Sequence, residues 1–371
     1  MMTDPVRGRA YVEALRHAVR PGCVVADIGA GPGVLGVIAA TLGARRVFLV
    51  EPSEVVAAAL ALAHDNGVED RVEVIEGAST EITLPEQADV IVSDLRGVLP
   101  LFGNHLRAAA DMRRRLLAPG GICIPARDEL YLGLVQDESL HSRTAGAWSA
   151  LSAMLDVGSL ARIAHSRWHR THASAEQLLG PAVHWATLDY TRTDTSVSHG
   201  RRVWLEIERD GTLHGLLCWF DASLTASVGF SNAPSAPRAL YGQAFFPLDT
   251  PVKVIAGDRV DAHLRAVLAG ADYEWAWSVD VVRDGVTMAC ARHATIDARP
   301  GLRRAVELFD GARQPAAVAD ASAIAQVIAM ADGETTMASI AEELRAKFTT
   351  RFPTNADALE FAVRQHARFS S

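Results

Sequence analysis

The sequence predicts an α/β protein in which a doubly wound parallel sheet is followed by an antiparallel β domain and a small helical domain. Residues 1–126 alternate short apolar runs with helical stretches, as in a parallel sheet covered on both faces. From residue 127 to about 300, apolar and polar residues alternate, which is typical of antiparallel strands. Residues 301–371 contain amphipathic helical stretches around Asp332-Gly333. These three segments are the predicted domains.

Length and composition restrict the class of protein. A chain of 371 residues is long enough for two or three domains. The net charge of −8 disfavours nucleic acid as a partner, and no apolar run is long enough to predict a membrane span or a signal peptide. The four cysteines are scattered without a CxxC pair, so we expect no metal site and a reducing, cytoplasmic location.

The first domain is divided into alternating elements by its apolar runs. The predicted strands cover 23–27, 46–50, 72–75, 88–93 and 121–125. The predicted helices cover 5–19, 33–42, 53–66 and 104–117. The third strand leads to Ser79-Thr80 and the fourth ends at Asp94. Because ligands bind at the carboxyl ends of parallel strands, these residues are expected at one site.

The turn after the first strand carries the strongest local signal. Its spacing is D-x-G-x-G-x-G, formed by Asp27, Gly29, Gly31 and Gly33, and the second strand ends at Glu51. This pattern is typical of a nucleoside-binding βαβ unit, in which a terminal carboxylate accepts bonds from ribose hydroxyls. An acid beside the loop would repel a pyrophosphate but suits an ammonium or sulfonium group. S-adenosylmethionine is therefore the predicted ligand, with a nicotinamide dinucleotide or a structural turn without ligand as alternatives.

The sequence of the second domain predicts a β-barrel that is interrupted near its start. Asp210-Gly211 and Asp284-Gly285 predict hairpin turns between its strands. A polar, helical insertion covers about 138–180 and is expected to form a packing or oligomer surface. Four tryptophans are expected in the barrel core, namely Trp204, Trp219, Trp275 and Trp277.

A family resemblance now becomes visible in motifs that run from Asp4 to about Asp280. The segments are DPVR with Tyr11, GARRVFLVEPSE, GASTEITLP, VIVSDLRG and LLAPGGICIPARDELYL, in that order. The chain resembles the protein arginine methyltransferases, which are class I S-adenosylmethionine-dependent enzymes with a Rossmann-like sheet and a β-barrel. The resemblance implies a homodimer formed through an insertion at 138–180.

The same resemblance assigns a role to each donor-site residue. Arg7 would bind the carboxylate of the donor, and Gly29, Gly31 and Gly33 would lie along its methionine portion. Glu51 would hold the ribose. Ser79 and Thr80 would flank the adenine.

The acceptor half departs from the family pattern. The family holds a substrate guanidinium with two glutamates; here Asp94 stands in the first position and Gly103 in the second. The family's Thr-His-Trp loop aligns with Ala239-Leu240-Tyr241, without its histidine. A guanidinium is best recognised by paired carboxylates. We therefore expect an N- or O-methyltransferase with a rebuilt acceptor pocket, acting on a peptide or small molecule, for instance in ribosomal-peptide biosynthesis. The alternatives are a peptide or protein arginine N-methyltransferase and a non-catalytic scaffold that binds S-adenosylmethionine.

Four residues near the acceptor loop carry competing interpretations. Asp94 is the catalytic candidate, as a base or an orienting group, or it is a strand-end acid that bonds the methyl donor or its own loop. Arg96 is either a clamp for a substrate carboxylate or a solvated loop residue. His105 is either a base or a structural residue at a helix start. Tyr241 either replaces the lost histidine at the pocket rim or packs in the core.

The C-terminal tail, residues 318–371, weakly resembles the winged-helix peptide-recognition domain of pyrroloquinoline quinone biosynthesis (PqqD-like). The segments that carry this resemblance are AIAQVIAMADG and ETTMASIAEELRAKF. It implies that the tail binds a leader peptide, and the alternative is a generic helical cap.

Overall fold

A computed structural model describes residues 4–148, 154–192, 197–299 and 320–369 of the chain. The chain forms two compact units, Met1–Leu302 and Arg303–Ser371. The first contains a parallel sheet followed by antiparallel sheets, which confirms the predicted fold class. The exact domain boundaries stay a prediction. Within the described ranges, no helix is both long and apolar enough to cross a membrane.

The parallel sheet is built from five strands in the order β3-β2-β1-β4-β5. Its strands are β1 (Val24–Ile28), β2 (Arg46–Glu51), β3 (Val72–Glu76), β4 (Ala88–Ser93) and β5 (Leu117–Ile124). The accompanying helices are α1 (Pro5–Ala18), α2 (Val34–Thr41), α3 (Ala57–Asp65) and α4 (His105–Arg115). Strand order reverses between β1 and β4, so a ligand crevice is expected at their carboxyl ends. The predicted elements agree closely, except that β5 begins at Leu117 rather than 121.

The second part of this unit consists of two antiparallel sheets. One sheet has the order β7-β12-β10-β6-β8, with β11 paired to β10, and the other has the order β15-β14-β13-β9. The elements of this part are β6 (Arg127–Val135), α5 (Glu138–Arg143), α6 (Gly158–His165), β7 (His169–Thr171), β8 (Val183–Asp189), β9 (His199–Glu206), β10 (Gly211–Ser223), β11 (Gly229–Ser231), β12 (Gln243–Val254), β13 (Arg259–Ala269), β14 (Asp272–Arg283) and β15 (Val286–Ala294). Their inner faces form an aromatic core around Trp185, Phe246 and Trp277. The indole N–H of Trp277 donates to the Pro247 carbonyl at 2.9 Å, which satisfies the buried donor.

Trp204 lies outside the core, so the prediction for this tryptophan was wrong. Its neighbours Val203 and Leu205 are buried, and strand alternation therefore turns Trp204 to the outer face of β9. There it is 46% exposed and carries the Arg259 guanidinium 4.5 Å above its ring. The other three tryptophans are buried as predicted, namely Trp219, Trp275 and Trp277.

The C-terminal unit consists of three described helices, α7 (Ala321–Met330), α8 (Met337–Lys347) and α9 (Asn355–Phe369). Thr336 caps α8, since its side chain accepts the Ser339 N–H at 3.2 Å. Ile340, Leu344 and Phe352 are buried in a separate small core. The PqqD-like assignment of this tail stays a prediction, and residues 300–319 lie outside the described part of the chain.

We expect Ile340→Ala to lower the unfolding free energy of the C-terminal unit by about 2–5 kcal/mol, because it leaves a cavity in a small core. Ile328→Ala is the matched control: Ile328 is exposed, so its truncation should cost less than about 0.5 kcal/mol. Differential scanning calorimetry of both variants measures the difference, and equal costs would contradict the assigned core.

Candidate active site

The loop between β1 and α2 is shaped for close approach of a ligand. Gly29, Gly31 and Gly33 adopt φ values of +69°, +54° and +75°. A Cβ on Gly33 would lie 2.5 Å from the Cβ of Ala59, whereas one on Gly31 would meet open space. The loop therefore requires glycine for its backbone and leaves the Gly31 side accessible.

Asp27 is a buried carboxylate at the end of β1 with little to neutralise it. It is 2% exposed and accepts the Gly36 N–H at 2.8 Å. Burial raises the pKa of Asp27 to about 7, although the Gly36 N–H and the Arg7 charge partly oppose this. A cationic ligand group would remove the desolvation cost. This acid therefore fits the ammonium end of the predicted methyl donor.

Glu51 and the exit of β3 complete the same edge of the sheet. One carboxylate oxygen of Glu51 accepts the Gly31 N–H at 3.0 Å, and the other accepts the Ser53 hydroxyl at 2.6 Å. Glu51 is half-buried and thus reachable by a ribose. Ser79 and Thr80 follow β3, and Arg115 donates to the Ser79 carbonyl at 2.6 Å. Arg115 thereby fixes the backbone of the predicted adenine wall.

Asp94 lies at the end of β4 and is surrounded by donors. Its side chain is 4% exposed and forms ion pairs with Arg7 and, at 3.2 Å, with Arg96. The Tyr241 hydroxyl lies 2.7 and 2.6 Å from its two oxygens. Burial alone would raise the pKa of Asp94, but the charges of Arg96 and Arg7 outweigh it and lower the pKa below its usual range. Asp94 is therefore ionised and already well paired.

Arg96 is a fully buried structural cation rather than a solvated loop residue. Its Nε and Nη2 donate to the two oxygens of Asp128 at 2.8 and 2.9 Å. Its Nη1 donates to the Tyr11 hydroxyl at 2.8 Å, and its side chain has no solvent exposure. These contacts use the donors of the guanidinium fork, so this placement does not favour a direct clamp on a substrate carboxylate.

His105 and Tyr241 both join this buried network. The Nε2 of His105 lies 3.1 Å from the Tyr190 hydroxyl, which in turn donates to Asp128 at 2.6 Å. Burial and the Arg96 charge lower the pKa of His105 to about 4, so the ring is neutral. A structural role suits His105 better than that of a base. Tyr241 instead contacts the candidate residue Asp94 directly, in agreement with the idea that it borders the acceptor pocket.

At the two positions that depart from the family pattern, Gly103 and Leu240, the backbone N–H donates to a carboxylate. Gly103 has φ +48°, and its N–H donates to a carboxylate oxygen of Asp272 at 3.2 Å. The N–H of Leu240 donates to Asp4 at 2.5 Å, while its side chain is 42% exposed. The barrel loop therefore reaches α1 through its backbone rather than through a histidine.

Two acids near the site were missed by sequence reasoning. Asp128 stands in the apolar-rich run IPARDELYLGLV, where an inward-facing charge predicts a buried partner. Asp272 begins β14 in a turn and gives no comparable signal. Across the described ranges, no group of three or more His, Cys, Asp or Glu side chains converges as metal ligands.

Comparison with known proteins matches two parts of the first unit, Met1–Leu302, to methyltransferase families. A family model described as the arginine methyltransferase oligomerization subdomain matches residues 126–274, and one described as ribosomal protein L11 methyltransferase (PrmA) matches residues 9–124. The chain is 30% identical over 268 residues to protein arginine N-methyltransferase 6 of Xenopus tropicalis, covering 68% of this chain and 78% of that protein. It is 29% identical over 294 residues to the Xenopus laevis protein of the same name, covering 72% and 86%.

Solved structures agree at the level of the fold. The Trypanosoma brucei PRMT1 enzyme-prozyme heterotetrameric complex with AdoHcy superposes with a TM-score of 0.73 at 23% identity, covering 79% of this chain and 96% of that one. Arabidopsis thaliana protein arginine methyltransferase 10 superposes with a TM-score of 0.69 at 22% identity, covering 80% and 96%.

We expect the affinity for S-adenosylhomocysteine to fall about eightfold between pH 7.5 and pH 6. Asp27 carries a proton below about pH 7 in the free protein, and pairing with a ligand ammonium requires its ionised form. Isothermal titration calorimetry at several pH values measures the change. Asp27→Asn should bind more weakly with a flat profile, and Asp65→Asn, at an exposed helix end, should behave like the parent. A pH-independent dissociation constant in the parent protein would refute this role.

Proposed function

The chain belongs to the protein arginine N-methyltransferase family and is an S-adenosylmethionine-dependent methyltransferase, and we propose that its acceptor is a side-chain nitrogen of arginine in a peptide or protein. The observation that carries the proposal is the buried, ionised carboxylate of Asp94 at the end of β4, beside the predicted donor site. It offers a hydrogen-bond acceptor and a negative charge to a cationic side chain.

The donor-site roles rest on the geometry of the β1–α2 loop. We propose that Asp27 pairs with the donor ammonium, Arg7 with its carboxylate and Glu51 with its ribose. The glycine loop would contact the methionine portion, and Ser79 and Thr80 would flank the adenine. The donor supplies a sulfonium-bound methyl group, and the protein supplies position and charge for its in-line displacement.

Arg7 links the two halves of the proposed site. Its Nε contacts Asp94 Oδ2 in the free protein. If Arg7 instead pairs with the carboxylate of the methyl donor, Oδ2 of Asp94 becomes available to an N–H group of the substrate that accepts the methyl group. Asp94, Asp128 and Arg96 then carry one net negative charge, which one guanidinium neutralises. Because the pKa of Asp94 is lowered, we assign it an orienting role rather than that of a strong base.

Asp272 provides a carboxylate close to the position from which the second family glutamate is missing. Its Oδ1 accepts the Gly103 N–H at 3.2 Å, and Asp272 is exposed. We propose that it contributes negative charge to the acceptor side, partly replacing the side chain that Gly103 lacks.

A second candidate is an acceptor without a guanidinium, in a peptide or small molecule. Gly103 without a side chain and the three donors that already surround Asp94 favour it. The comparisons offer no support for ribosomal-peptide biosynthesis, so that setting and a leader peptide at 318–371 stay hypotheses. The methyltransferase matches disfavour the non-catalytic scaffold, and the cytoplasmic location stays a prediction.

Methyl transfer to an arginine peptide tests the proposed acceptor. Mass spectrometry should detect a gain of one methyl group on a Gly-Arg-rich peptide incubated with the protein and S-adenosylmethionine. Asp94→Asn should lower kcat/KM about 100-fold, since it removes the negative charge that is proposed to bind the substrate guanidinium. The exposed Asp65→Asn is the matched control and should leave kcat/KM unchanged.

The outcomes separate the candidates. Methylation of the peptide at lysine, asparagine or a hydroxyl, with its arginines untouched, would contradict the arginine proposal and favour the second candidate. Calorimetric binding of S-adenosylhomocysteine without transfer to any peptide or small-molecule acceptor would favour the scaffold.

We further propose that the chain forms a homodimer through the insertion at 138–180. Residues 126–274 match a subdomain described by its role in oligomerization. Apolar side chains of the insertion are open to solvent, with Met154 79%, Leu155 65% and Leu160 44% exposed. Exposed apolar side chains grouped on one segment mark interaction surfaces.

The double variant Leu155→Asp/Leu160→Asp should raise the dimer dissociation constant at least about 100-fold, because it places charges in the apolar contact. Analytical ultracentrifugation measures this constant. Val286→Asp, at a side chain that is 61% exposed on β15, is the control and should leave it unchanged. A parent protein that sediments as a monomer at high concentration would contradict the proposed dimer.

A further inference from the structure

A second cavity lies between the parallel sheet and the barrel, apart from the residues of the donor and acceptor sites. Its volume is about 680 Å³, within the range of small-molecule binding sites. The wall is contributed by the C-terminal end of α1, by α4, by the edge strand β5 and by the β10–β11 hairpin. Apolar groups form most of it, including Ala18, Ile122, Leu224 and Ala226.

Arg113 is the unusual residue of this wall. It belongs to a three-arginine run in which Arg114 and Arg115 both pair with Asp111. Arginines at the end of a helix are usually solvated, but the Nε of Arg113 is buried, and no hydrogen-bond partner is found for this atom in the described ranges. No described carboxylate forms an ion pair with Arg113 either.

The surroundings of Arg113 do not compensate its charge. The Cys123 thiol lines the same wall; burial raises the pKa of this thiol, although the charge of the nearby Arg113 partly opposes the rise. The thiol is therefore neutral. His17, the other basic side chain of the wall, pairs with Glu13 one turn away on α1. Because no described carboxylate neutralises Arg113, an anion in the cavity would gain a charge-assisted hydrogen bond from its guanidinium group.

We propose that this cavity binds a small organic anion with an apolar body, such as a medium-chain carboxylate. The carboxylate pairs with Arg113, and the hydrocarbon lies against Ile122, Leu224 and Ala226. The charge complementarity selects an acid over a neutral amphiphile, and the apolar wall selects an organic acid over inorganic phosphate. This site is independent of the proposed methyl transfer.

Ligand displacement tests the proposal with the full chain. The probe is anilinonaphthalene sulfonate, an aromatic anion whose fluorescence rises on binding, measured with the donor site saturated by S-adenosylhomocysteine. Octanoate should displace the probe at a concentration at least about tenfold lower than octanol does, because only the acid pairs with Arg113.

Two variants address the residues of the wall. Arg113→Gln should weaken the competition by octanoate at least about tenfold, whereas Arg114→Gln, the exposed neighbour, should leave it unchanged. Ala226→Trp fills the cavity from an exposed position and should abolish probe binding without disturbing the core. Thermal unfolding of each variant identifies a loss that comes from misfolding rather than from the site.

Alkylation of Cys123 by N-ethylmaleimide provides a readout that does not depend on the probe. Octanoate should slow the reaction at Cys123 several-fold and leave that at the exposed Cys290 unchanged, as followed by peptide mass mapping. Equal displacement by octanol and octanoate, or unchanged alkylation of Cys123 together with unchanged octanoate binding in Arg113→Gln, would overturn the proposal.

Discussion

The buried ion pair between Arg96 and Asp128 joins the two halves of the first unit. Arg96 follows β4 of the parallel sheet, Asp128 belongs to β6 of the barrel, and neither side chain is exposed. Tyr11 from α1 and Tyr190 from the end of β8 hydrogen-bond into the same pair. Breaking such a pair leaves a charge in a dry interior, which costs several kcal/mol. The relative position of sheet and barrel, and hence the shape of the crevice between them, depends on this contact.

Asp94 depends on that pair for its chemical state. Arg96 lies between two carboxylates and donates to both, so it lowers the pKa of Asp94 while it neutralises Asp128. The neutral His105 at the far end of the network places no further charge in it. The proposed acceptor side of the site therefore shares the ion pairs that connect the sheet and the barrel. A substitution at Asp94 that changes the substrate specificity would therefore also disturb the buried ion pairs of Arg96.

The sequence predicts the strands and the glycine loop around the proposed donor site well, because these elements are local, whereas the binding roles of the residues stay proposals. Apart from Arg7 on α1, the proposed donor-site residues lie in one loop and at three strand ends, and glycine spacing and strand periodicity predict these elements. Arg96 shows where such reasoning fails: its partner Asp128 lies on β6 in a different sheet of the same unit, and only the packed structure brings the two together. The environment of Arg113 is unpredictable for the same reason. Its position late in a helix suggests exposure to solvent, but the β10–β11 hairpin packs nearby and encloses a cavity with it. Trp204 could have been placed by strict strand alternation, which outweighs the general preference of tryptophan for the core.

The backbone conformation of Gly103 limits which side chains this loop can carry at the position of the second glutamate in the family pattern. Its φ of +48° belongs to a left-handed region that a glutamate enters only with strain, and its N–H is held by Asp272. A single codon change would therefore add a carboxylate while distorting the loop that must present it. Relief of that strain would require the loop between β4 and α4 to change together with its contact to the β13–β14 hairpin. A carboxylate at this position would therefore require a different conformation of the loop and not only a different side chain.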